Sequence, residues 1–162
     1  MWLGKKAVQI YHKKAIEKGQ RPRRRILKIN FPHKQPEQGL SLCVLSLMSL
    51  LIFDERGIYC PPADVYIDPW RPVRRAIITH AHADHARPGH HAYLAHHLSA
   101  SVLRQRLGRG IRLQTIGYGR TVSIRGVQFS LHPAGHIPGS AQVRVEYRGA
   151  IWVVSGDYKL EA

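Results

Sequence analysis

From residue 50 onward, apolar positions fall into short runs broken by turn residues, the pattern of a chain of strands. Residues 50–53 and 58–60 are apolar runs on either side of Asp54-Glu55-Arg56-Gly57, a hairpin-like connection. Residues 65–67 form a third run, which Pro69 stops just after Asp68. Residues 76–79 read as a buried strand that delivers His80 at its end, and 93–95 as another short strand. Residues 99–107 have helical spacing, with Ser99 as N-cap, Val102, Leu103 and Leu107 as apolar positions and Gly108 as the stop. The rest reads as strands. Residues 112–116 and 120–124 flank a Gly-Tyr-Gly turn, 127–131 follow Gly126, and 142–147 alternate polar and apolar. Residues 151–154 are apolar and run into Ser155-Gly156-Asp157. The expectation is a sheet-rich α+β domain with one or two helices and no internal repeat.

The first 47 residues break this pattern. They hold 7 Lys and 4 Arg against 2 acids, whereas residues 48–162 hold 1 Lys and 13 Arg against 8 acids. The composition shift predicts two parts: residues 1–47, a basic N-terminal extension that is disordered or an over-called start, and residues 48–162, the folded domain. On that reading the native chain starts at Met48. A helix over residues 5–18 would have few apolar side chains to bury. The uncharged run 40–53 is shorter than the roughly 17–25 residues a membrane span needs. It also follows too long a leader, and precedes no cleavage site, to be an export signal. No membrane segment and a cytoplasmic location are therefore expected. The formal charge of +15 points to an anionic partner, nucleic acid first. Two cysteines, Cys43 and Cys60, support neither a disulfide framework nor a thiolate zinc site.

The chemistry concentrates in His80-Ala81-His82-Ala83-Asp84-His85. Four candidate ligands fall within six positions directly after an apolar strand, separated only by alanine. In an extended loop His80 and His82 can grip one ion, while Asp84 and His85 face a second beside it. Zinc-type ions favour neutral imidazole with a carboxylate, and catalytic sites keep a position for water. Two further candidates end later strands, His136 after Gly135 and Asp157 after Gly156, where glycine lets the backbone turn tightly. Asp157, with two carboxylate oxygens, can bridge both ions. Asp68 either orients a ligating imidazole from behind or caps the turn before Pro69. His90, His91, His96 and His97 fall outside any ligand-like spacing. His132 is a structural residue or a supporting one.

At these residues the sequence resembles the metallo-β-lactamase fold superfamily. The stretch Tyr66-Ile67-Asp68-Pro69-Trp70-Arg71-Pro72-Val73, then Thr79 through Arg87, then Ala134-Gly135-His136-Ile137-Pro138-Gly139-Ser140-Ala141-Gln142, looks like its nucleic-acid-processing, β-CASP-like branch. Among these families it is most similar to the bacterial ligase-associated DNA exonucleases. The resemblance covers residue 48 to the C-terminus. It implies an αββα fold truncated to its N-terminal half, without the downstream histidine that completes the second metal site. One sheet face would then stay uncovered.

The resemblance further implies a two-metal phosphodiesterase acting on DNA in repair or end processing. Its ions would be zinc, with manganese or iron as alternatives, the second site being incomplete here. His80, His82 and His136 would hold one ion, Asp84 and His85 the other, and Asp157 both. Asp84 would be the catalytic residue, ligating, accepting a proton from water, or both. Arg71, Arg74, Arg75 and Arg87 flank the site in sequence and are candidates for phosphate contacts. Expected partners are DNA rather than RNA, and a DNA ligase and helicase repair set. The alternatives are a small-ester or thioester hydrolase, an RNA-processing nuclease, a non-catalytic basic nucleic-acid binder, or an inactive fragment of the exonuclease.

Overall fold

A computed structural model describes residues 9–14, 25–28 and 49–159. The expected boundary at Met48 lies outside these residues, as does most of the apolar run 40–53. So does the helix expected over 5–18, except that Gln9–Lys14 is a strand.

Among the described residues, twelve strands form two six-stranded sheets. The first sheet contains β3 (Ile52–Asp54), β4 (Gly57–Cys60), β5 (Val65–Ile67), β6 (Arg75–Ile77), β7 (Ala92–His96) and β8 (Leu113–Ile116), in that spatial order. Its first two pairings are antiparallel, and β5 to β8 run parallel. The second sheet has the order β2 (Arg25–Lys28), β1 (Gln9–Lys14), β12 (Ala150–Ser155), β11 (Ala141–Tyr147), β10 (Val127–Pro133), β9 (Thr121–Ile124). All its pairings are antiparallel.

Local sequence explains the hairpins. Arg125-Gly126 joins β9 to β10 and Arg148-Gly149 joins β11 to β12, with both residues of each pair at positive φ. That is the primed two-residue turn whose twist matches the flanking strands. At the β3–β4 turn, Asp54 Oδ1 accepts from the Arg56 and Gly57 amides at 2.7 and 3.2 Å.

The two sheets pack face to face. Ile58, Val65, Ile67, Ile77 and Leu94 from one meet Val127, Phe129, Leu131, Val143, Val145 and Val154 from the other. Residues one step away along the first sheet face outward. Tyr66, Ala76, Ile78, Tyr93 and Ala95 pack with Leu103 of the helix α1 (Ala100–Leu107). Period-two alternation thus supplies both faces from the same strands. Each fully buried Val, Ile or Phe contributes about 1.5–3 kcal/mol.

Two face-to-face sheets with a helical layer over the first make the sheet-rich α+β domain expected from the strand pattern. The outer face of β12 carries half-buried Ile151 and Val153. Two details differ from expectation. Ser99 makes no side-chain cap, because a 3-10 turn (His97–Ser99) feeds straight into α1. That turn is capped instead by His96, whose Nδ1 accepts from the Leu98 amide. Among the described residues no helix is long and apolar enough to cross a membrane.

Candidate metal centre

Four strand ends converge at one edge of the sandwich. Asp68 follows β5, Thr79 through His85 follow β6, His136 follows β10 and Asp157 follows β12. Both sheets therefore contribute. The seam between them carries a hydrogen bond from the Ala141 amide of β11 to the Thr79 carbonyl, 2.8 Å.

His80, His82, His136 and Asp157 each offer one donor atom within 4.8 Å of the others. His82 Nδ1 stands 3.1 Å from His80 Nε2 and 3.2 Å from His136 Nε2. Asp157 Oδ2 lies 3.8 Å from His80 Nε2 and 3.7 Å from His136 Nε2. Nitrogen lone pairs this close repel unless a cation or a proton sits among them. Donors about 2.0–2.1 Å from one tetrahedral zinc-type ion would stand about 3.3 Å apart, which matches the imidazole spacings. The donor set fits a divalent ion.

His85 lies beside this group. The turn that places it is closed by the His85 and Ala86 amides, both donating to the His82 carbonyl. His85 Nε2 is buried without a hydrogen-bond partner, 3.5 Å from Asp84 Oδ2 and 3.6 Å from Asp157 Oδ1. The Asp157 carboxylate therefore turns one oxygen to the three-histidine group and the other to His85. Asp84 is exposed and stands at the outer edge.

Asp68 supports the site from behind. Its φ of +45° lies in the left-handed region, costly for a non-glycine residue. From that conformation its Oδ1 accepts the Thr79 amide at 2.7 Å, while Oδ2 accepts the Thr79 hydroxyl at 2.5 Å and His85 Nδ1 at 2.6 Å. Since the Thr79 hydroxyl donates to Asp68, it accepts from His80 Nδ1, 3.2 Å away. Both imidazoles thus carry their proton on Nδ1 and keep Nε2 bare toward the centre. Burial, then the neighbouring His85, pushes the His80 pKa down to about 4, so its imidazole is neutral at neutral pH. His85 shifts the other way. Burial opposes protonation, but the hydrogen bond and charge of Asp68, with Asp84 and Asp157, outweigh it.

The two glycines before the late donors do different jobs. Gly135 has φ +73° and makes the tight turn expected of it. Gly156 has no such conformation; a Cβ there would meet Thr79 Oγ1 at 2.5 Å, so its role is space rather than turning. The loop bearing His136 is held by Ser140, whose Oγ accepts the His136 and Ile137 amides at 3.1 and 3.2 Å. Sequence reasoning gave no role to Thr79 or Ser140, although both sit inside the motifs quoted above.

Other expected residues lie elsewhere. Arg74 precedes β6 and Arg75 begins it, at the far end of that strand from the centre, and Arg75 pairs with Asp64 at 3.1 Å. They do not flank the metal centre, because a strand separates residues that are near in sequence. Arg71 is exposed, 3.9 Å from Glu55. Arg87 keeps a buried Nε without a hydrogen-bond partner. His132 pairs with Ser130. His90 accepts the Val73 amide, and His96 stacks on Tyr118 with ring centroids 3.6 Å apart.

Fold and donor arrangement together define the class: a two-sheet sandwich with a histidine and aspartate cluster at one edge able to hold a metal ion. Over 107 residues, 64% of its length, the chain is 34% identical to a probable DNA ligase of Opitutus terrae, covering 10% of that protein. Over 50 residues, 31% of its length, it is 36% identical to the endoribonuclease YSH1 of Eremothecium gossypii, covering 6% of it. The chain spans a tenth or less of the length of these curated relatives. A solved B3 metallo-β-lactamase with an active-site glutamic acid superposes on 56% of the chain and 47% of its own, at 18% identity and TM-score 0.39. No family model matches the chain.

Proposed function

We propose that this chain carries the metal-binding half-site of a phosphodiesterase that cuts nucleic acid, of the DNA exonuclease type. The observation that carries the reading is the convergence of His80 Nε2, His82 Nδ1, His136 Nε2 and the Asp157 carboxylate, with His85 Nε2 facing the second Asp157 oxygen. The nucleic-acid enzymes named among its relatives support phosphodiesters over thioesters as substrate, and the charge of +15 agrees.

His80, His82, His136 and Asp157 would hold one divalent ion, zinc by donor chemistry. His85, Asp84 and the other Asp157 oxygen would contribute to a second. Ions held there would lower the pKa of bound water and neutralise charge on phosphoryl oxygens. The protein's own residues do the rest. Asp68 and Thr79 fix the tautomers of His80 and His85. Asp84, exposed beside His85, would accept the proton of the attacking water. DNA is the proposed partner, within a ligase-linked repair set.

The test is hydrolysis of a 5′-labelled single-stranded oligodeoxynucleotide and of a thioester, each with the metal-loaded protein, after chelation, and after metal is restored. Metal-dependent release of nucleotides supports the proposal. Turnover of the thioester alone, or DNA binding with no cleavage under any metal, overturns it.

A further inference from the structure

The mouth of the sandwich opposite the metal centre opens into a cavity of about 320 Å³. Its inner end is apolar: half-buried Ile124 of β9 lines it, over the covered core residues Val65 and Ile77. Its rim is basic: Arg74 and Arg75 at the start of β6, and Arg112 just before β8. These strands start side by side in parallel, Arg75 beside Ala92 and Tyr93 beside Leu113. Two strand spacings, about 10 Å, therefore separate the Arg74–Arg75 pair from Arg112. Two guanidinium groups can reach across that gap to a single phosphate.

Charge balance favours an anion. Asp64 holds Arg75 at 3.1 Å and also lies 3.9 Å from Arg125. Arg74 and Arg112 are exposed, and among the described residues neither has a carboxylate partner. The cavity is at the small end of ligand pockets. A bare inorganic anion would leave the inner end empty, whereas a nucleotide places a phosphate at the rim and a ring against Ile124. Five residues of extended chain from Arg75 to His80 set the two sites about 16 Å apart.

We propose that this pocket binds one nucleotide unit through its phosphate, independently of the metal centre. The test is calorimetric titration of the whole chain, with chelator present, against inorganic phosphate, a nucleoside 5′-monophosphate and a single-stranded decanucleotide. The nucleotide and the decanucleotide are expected to bind, and inorganic phosphate at least tenfold more weakly. The double variant Arg74→Gln/Arg112→Gln is expected to lose at least tenfold for both. Its salt dependence should flatten by about 1.4 in log–log slope on the single strand. Arg104→Gln/Arg106→Gln removes the same charge from the exposed face of α1 and should change affinity less than twofold. Equal losses in the two double variants would reduce the effect to net charge and overturn the pocket. Inorganic phosphate binding as tightly as the nucleotide would overturn the nucleotide assignment. Unchanged thermal melting of both variants excludes misfolding. Because chelator is present throughout, failure of the nuclease reading leaves this outcome untouched.

Discussion

The Nδ1 proton of His85 is donated to Asp68 Oδ2 over 2.6 Å, across 17 positions of sequence and from the end of one strand to the end of its neighbour. The same carboxylate takes both hydrogen bonds of Thr79, which in turn accepts from His80. One acid, held at a costly φ, thereby decides which nitrogen two separate imidazoles present to the centre.

Replacing Asp68 with Asn should keep the fold and weaken metal binding about 10–100-fold, the usual cost of losing a ligand's supporting partner. Competition with a chromophoric chelator measures it. An unchanged affinity would show that the Asp68 carboxylate does not orient the donors.

His82 Nδ1 is the shared neighbour of His80 and His136. His82→Ala should remove about one metal equivalent per chain in elemental analysis. His132→Ala, on β10 but paired with Ser130, should leave the metal content as it was. Equal losses in both would mean the cluster is not the binding locus.

A methyl group at residue 156 collides with Thr79 Oγ1. Gly156→Ala should destabilise the fold by about 1–3 kcal/mol, the range for forcing extra atoms into packed space. Gly110, with open space around it, provides the control: Gly110→Ala should stay within about 0.5 kcal/mol in urea unfolding. Matching urea midpoints for the two variants would refute close packing at Gly156.

Burial lowers the pKa of His90 from 6.5, and burial followed by His97 lowers that of His96. Between the ordinary value and the lowered one, the unfolded chain binds protons that the folded chain refuses. Stability contributed by these groups is therefore present above about pH 6.5 and is lost as pH falls below it. The urea midpoint should drop between pH 7.5 and pH 5.5, and His90→Gln should shrink that drop. A midpoint that rises over the same interval contradicts the assignment.

Much of the site could be read from the sequence because its donors sit where regular patterns stop. A strand of alternating burial must end somewhere, and His80, His136 and Asp157 occupy those ends. Residues 65–67 were bounded correctly since Pro69 allows no continuation. Arg74 and Arg75 lie away from the centre for the converse reason: a strand carries neighbours in sequence to opposite ends of a sheet. The role of Gly156 was equally hidden, because the atom that excludes a side chain belongs to Thr79, 77 positions earlier. Nor could residues 9–14 announce their pairing with β12, which depends on an edge built from the other end of the chain.

The seam bond between Ala141 and Thr79 ties two leaves that each own part of one coordination sphere. The first leaf brings His80 and His82 and the second brings His136 and Asp157, so a slip of one pair at the seam would separate the two halves of the cluster. A cation held by all four would therefore bind only a chain whose leaves have docked in register.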